Sequence, residues 1–119
     1  MDAPTTQAEI KTAYQHLYAT TANAMDAQRE ANAARYALKD AETALMNSEA
    51  VAAGKNAETR AALLAGLSGA ERTELRRAEE TLAQAEREQA LAKIVVNELR
   101  ELLRLAEWHN GPPYIPTWD

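Results

Sequence analysis

The sequence predicts an all-α fold: a long antiparallel helical hairpin, coiled-coil-like, with a short helix in its connection, assembling into a helical bundle. Three observations predict it. No proline or glycine occurs from Thr6 to Ala53, or from Ala70 to Asn110. In both stretches apolar residues recur about every 3.5 residues, the repeat of a supercoiled helix. The breaks fall at Gly54 and at Gly111-Pro112-Pro113, residues that end helices.

The first helix is expected over 6–53. Thr6-Gln7-Ala8-Glu9 has the spacing of a capping box, in which a hydroxyl and a carboxylate each satisfy an orphan backbone donor. One row of the seam is Ile10, Leu17, Ala24, Ala31, Leu38, Leu45 and Ala52; its companion is Ala13, Thr20, Ala27, Ala34, Ala41 and Ser48. Gly54 suits the left-handed position after a helix, and Asn56 can cap the next one. A short helix is expected over 57–67. Ser68-Gly69-Ala70-Glu71 then reads as a second capping box, opening a helix over 69–109. Its rows are Leu75, Leu82, Gln89, Val96, Leu103 and Ala78, Ala85, Ala92, Leu99, Ala106. Towards its C-terminal half the apolar stripe widens to take in Leu91, Ile94, Val95, Leu102 and Leu105. A widened stripe calls for further helices on that side. A proline- and aromatic-rich tail, 110–119, completes a single domain.

Two long helices joined by a short connection fold back on one another. With the turn centred near residue 61, the numbers of facing residues add to about 122. That register predicts Leu17 near Leu105, Leu38 near Ala85 and Leu82, Leu45 near Ala78 and Leu75, and Tyr14 beside Trp108. Alanine seams bury little area, so a lone hairpin is marginal and a dimer or larger assembly is expected.

Composition narrows the function. The net charge of −5 is spread along 119 residues with no basic run, so the electrostatic footprint of non-specific nucleic-acid binding is missing. The chain has no cysteine, which removes disulfides and thiolate metal sites and is compatible with a reducing cytoplasm. The first residues, Met1-Asp2-Ala3-Pro4-Thr5-Thr6, lack the basic and apolar regions of a signal peptide. No stretch approaches the ~20 apolar residues of a membrane span. A cytoplasmic protein without a membrane partner is expected.

Chemistry-bearing constellations are absent. His16 and His109 have Ala13 and Ala106 where a bundle metal site would place glutamate, so no metal site is expected. The glutamates sit among arginines at helical spacing and read as a salt-bridged, solvated face. Ser48 and Ser68 have no histidine at useful spacing. No catalytic residue and no cofactor is expected, and the chain does not read as an enzyme.

Two regions invite partners. The hairpin tip is locally positive, with Lys55 and Arg60 followed by Arg72, Arg76 and Arg77 as candidate nucleic-acid contacts. The segments Gly54–Leu63, Leu75-Arg76-Arg77-Ala78-Glu79 and Val96-Asn97-Glu98-Leu99-Arg100 also resemble a pattern in small alanine-rich helical proteins encoded by bacteriophages and prophages, mostly uncharacterised. The resemblance spans about residues 36–105. It implies a bacterial cytoplasmic setting and a role beside phage DNA metabolism or assembly, and it transfers no catalytic residue.

The second region is the aromatic end. Trp108 and the tail residues Tyr114 and Trp118 make up half of the chain's six aromatics. Prolines stiffen an extended segment and aromatics give contact area with few rotors, a combination suited to docking. Tyr14, Tyr18, Trp108, Tyr114, Ile115 and Trp118 are therefore the candidate partner contacts, with the tail either plugging the hairpin's open end or binding another protein. The function expected is a non-enzymatic, self-associating scaffold or adaptor; a nucleic-acid accessory protein acting through the basic tip is the alternative.

Overall fold

The computed structural model describes residues 6–109. They form four helices: α1 (Gln7–Met46), α2 (Glu49–Ala52), α3 (Ala57–Leu67) and α4 (Gly69–His109). The fold is all-α, with no strand among the described residues. The chain divides into two compact units: Asn23–Ala85, and residues to Ala22 together with those from Glu86. In each, α1 packs antiparallel against α4 as a helical hairpin.

In the unit Asn23–Ala85, the core is Ala24, Ala27, Ala31 and Ala34 from α1 against Ala78, Leu82 and Ala85 from α4, with Leu75 packed at its margin. Ala31 is fully enclosed. In the other unit the buried residues are Ala13, Thr20, Ala92 and Val96, flanked by half-buried Ile10, Leu17, Leu99 and Leu103. Every buried residue of α1 and α4 lies on a row of the 3.5-residue repeat. Small side chains let the helix axes approach closely but remove little apolar area from water. Thr20 is buried because its hydroxyl donates to the carbonyls of His16 and Leu17 within its own helix.

The ends of the elements follow local chemistry. Thr6 Oγ1 accepts from the Glu9 amide at 3.2 Å and starts α1. α1 stops at Met46, ahead of the expected 53, because Ser48 intervenes: its hydroxyl donates to the Leu45 carbonyl at 2.6 Å and accepts from the Val51 amide at 3.4 Å, capping α2. Such side-chain bonds offer the backbone an alternative to the helical ladder. Asn56 Oδ1 accepts from the Thr59 amide at 2.8 Å and starts α3.

Two local expectations are corrected. Gly54 does not adopt left-handed φ; its value is close approach, since a Cβ there would stand 2.7 Å from Arg60 Cγ and 3.1 Å from the Arg60 amide nitrogen. The Arg60 guanidinium returns to donate to the Gly54 carbonyl at 3.2 Å. Ser68 does not cap α4 by bonding the Glu71 amide. Its hydroxyl donates to the Leu64 carbonyl at 2.7 Å and accepts from Arg72 Nε at 3.0 Å. The Ser68 amide and carbonyl also make helical bonds, to Leu64 and from Arg72, so only one residue separates α3 from α4.

The register is also corrected. Gln89 donates to Thr21 Oγ1 at 3.1 Å, and Arg72 to Glu42 at 3.1 Å, pairs whose residue numbers add to 110 and 114 instead of about 122. The reason lies at the turn. α3 packs against α2, so the chain reverses around Gly54–Asn56 and not near residue 61. Each residue of α4 therefore faces α1 about ten positions away from the expected partner, about 15 Å along the axis. Leu38 comes level with Leu75, not Leu82, and Leu17 does not meet Leu105.

A candidate interaction surface on the last helix

α4 carries two apolar rows. The first is the buried seam. The second starts at Leu91 and continues through Val95, Leu102 and Leu105, with Ile94 and Trp108 alongside. Its spacing keeps it on one face, about a third of a turn from the seam. None of the described residues of the unit covers it: Leu91, Ile94, Val95, Leu102 and Leu105 are 45–61% exposed, whereas Ala92 and Val96 on the same turns are 2–3% exposed. Glu98 occupies the middle of the row, and Ile94, Asn97, Glu98, Glu101 and Leu102 line a shallow depression there. Sequence periodicity marks this row, because an apolar stripe wider than two positions exceeds what a two-helix seam can bury.

The predicted aromatic cluster does not form among the described residues. Tyr14 and Tyr18 lie one turn apart on α1, and Tyr18 is 80% exposed. Trp108 is 82% exposed. At the observed register Tyr14 lies level with residues near 96 and Trp108 does not stand beside it. Tyr114, Ile115 and Trp118 lie outside the described residues. In the other unit, Asn23–Ala85, Met25 of α1 is also exposed; a lone methionine among polar residues gives no sequence signal for this.

Two of the tip arginines, Arg72 and Arg77, are paired with carboxylates. Arg60 donates to the Gly54 carbonyl. Arg72 holds Ser68 and Glu42. Arg77 bonds Glu74 at 2.8 Å. That hydrogen bond, the Glu74 charge and, more weakly, Glu30 raise the Arg77 pKa further and keep the guanidinium charged and paired. Lys55 and Arg76 are exposed. Between α1 and α4 in this unit runs an open groove lined by Ala33, Ala34, Ala37, Ala78 and Thr81, with Glu30, Glu74 and Arg77 at its rim.

His16 is exposed on α1. Among the described residues no three His, Asp or Glu side chains gather at metal-binding distance, and no helix is long and apolar enough to cross a membrane. The chain matches no family model, no curated protein and no solved structure.

Proposed function

We propose that the chain is a non-enzymatic helical scaffold or adaptor that works by associating with further copies of itself. One observation carries this reading: five of the eight large aliphatic residues in the C-terminal half of α4 lie outside, while most of the buried hydrophobic side chains are alanine. Among the described residues, eight of the eleven buried hydrophobic side chains are alanine, whereas Leu91, Ile94, Val95, Leu102 and Leu105 stand half in water. An apolar row rimmed by charges is the usual mark of a protein–protein contact. The charged side chains favour a structural role as well, because pairs such as Asp26–Arg29, Glu74–Arg77 and Glu101–Arg104 run along exposed helix faces.

The tail, with Tyr114, Ile115 and Trp118, is proposed as the contact for a second protein, and the bacterial cytoplasm as the setting implied by the resemblance to phage-encoded helical proteins. The nucleic-acid alternative gains little support from the tip, where Arg72 and Arg77 are already paired with Glu42 and Glu74. Sedimentation velocity over one to a hundred micromolar, in order of magnitude the range where such an interface acts, tests the central claim. A concentration-dependent dimer or larger species is expected. A single compact monomer throughout that range refutes it.

A further inference from the structure

We infer that the exposed row of α4 pairs with the same row of a second copy, antiparallel and about a two-fold axis near Glu98. This rests on the self-association reading and adds to it the surface, the partner and the direction. The row is nearly palindromic about Glu98. Leu91 lies seven residues before it and Leu105 seven after; Ile94 lies four before and Leu102 four after. Reversing one helix on the other sets Leu91 across from the partner's Leu105, and Ile94 across from the partner's Leu102. A surface complementary to itself under a two-fold axis closes into a dimer without leaving a further sticky end.

Area supports a second copy as the occupant. A fully buried aliphatic side chain removes about 100 Å² of apolar surface from water. An aromatic one removes about 200 Å². Scaled by their exposures, the five aliphatic residues and Trp108 offer roughly 430 Å² per chain. Homodimer interfaces are about 65% apolar, so two such rows correspond to a total near 1,300 Å². That reaches the lower end of the range for a specific interface, about 1,200–2,000 Å².

Charge selects the direction. In a parallel, in-register pair Glu98, Glu101 and Arg104 would each meet its own copy. In the antiparallel pair only Glu98 does so; Glu101 comes across from Val95 and Arg104 across from Ala92. The helix dipoles also oppose one another in the antiparallel arrangement.

The absence of native cysteine makes the test clean. Three single-cysteine full-length variants are prepared: Leu91→Cys, Glu98→Cys and Leu105→Cys. Each is checked for native helicity by circular dichroism, then treated with a short bismaleimide at a concentration where sedimentation shows dimer. Glu98→Cys should cross-link to itself. Leu91→Cys should not, because its two copies stand about 21 Å apart along the axis. An equal mixture of Leu91→Cys and Leu105→Cys should cross-link as a mixed pair. Separately, Leu102→Glu should weaken the dimer roughly 30-fold or more.

Efficient self-cross-linking of Leu91→Cys overturns the antiparallel assignment. A dimer that survives Leu102→Glu and gives none of the expected cross-links overturns the assignment of the row. A full-length monomer that dimerises only when the chain is ended at Asn110 also overturns it, since the tail is then the occupant. A monomer in both forms sinks the self-association reading itself, which sets that failure apart from the others.

Discussion

Ala31 sits at the centre of the alanine seam, fully enclosed among Ala24, Ala27, Ala34, Ala78, Leu82 and Ala85. Replacing it with leucine tests whether the close packing of α1 on α4 is real. Leucine and alanine have similar helix propensities, so α1 itself is little affected. The three added carbons have no space to enter. They must push the helices apart or adopt a poor rotamer, which costs about 1–3 kcal/mol. With a urea m-value of about 1–3 kcal/mol/M, a cost in the middle of that range lowers the unfolding midpoint by about 1 M. Ala22→Leu, on an exposed position of the same helix away from the groove, is the control and should change stability by under about 0.5 kcal/mol. Urea titrations followed by circular dichroism at one fixed protein concentration read both variants. If Ala31→Leu stabilises the protein, leucine has found room, and the account of closely apposed alanines is wrong.

Gly54 and Gly66, two of the three glycines of the tip region, should respond oppositely. Gly66→Ala meets no atom within 4 Å and lies inside α3, so thermal unfolding should show a gain of about 0.5–1 kcal/mol. Gly54→Ala meets the Arg60 backbone and should lose about 1 kcal/mol or more; equal behaviour of the two would refute the close-approach account. A double-mutant cycle on Arg72→Ala and Glu42→Ala should give a coupling of about 0.2–1 kcal/mol, because both side chains are partly exposed, and it should shrink in high salt. Ending the chain at Asn110 should leave the unfolding midpoint unchanged and abolish capture of a partner protein in a pull-down; a large loss of stability would instead make the tail a structural plug. Gel shifts with duplex DNA at low salt should show no binding that Lys55→Glu with Arg60→Glu removes, and a salt-sensitive complex lost in that double variant would favour the nucleic-acid alternative.

The seam is legible in the sequence because it depends only on a period. Each row picked out at 3.5-residue spacing supplies buried positions of α1 and α4, and substituting small residues for large ones does not alter a period. The cap at Asn56 is legible for a similar reason, since a short side-chain acceptor before a helix bonds an amide three residues on. The register is not legible. It depends on which of two breaks, Gly54–Asn56 or Ser68, reverses the chain, and that is a tertiary choice, made where α3 packs on α2. A shift of ten positions keeps the seam intact, because the repeat nearly returns to phase, yet it moves Trp108 away from Tyr14. The aromatic cluster is therefore lost to a quantity that periodicity does not encode. The spacing around Ser68 suggests a cap, but its hydroxyl has two uses, and Arg72 with the Leu64 carbonyl claims it first.

The placement of side chains by size bears on assembly. Close approach of two helices rewards alanine at the seam, but alanine supplies little hydrophobic stabilisation. Leu82 and Val96 are the largest residues buried between α1 and α4. Meanwhile five half-exposed aliphatic side chains on α4 retain, at about 1.5–3 kcal/mol for full burial of each, on the order of 4–8 kcal/mol per chain of burial not yet realised. Association costs are themselves about 4–15 kcal/mol, so the surplus from two chains is modest and falls in a reversible range. Folding and assembly are then linked by mass action: the unfolding midpoint should rise with protein concentration, because a partner that binds only the folded hairpin stabilises it. If the proposed self-association holds, the hairpin gains stability from its neighbour as well as from its own seam, and a midpoint independent of protein concentration refutes it.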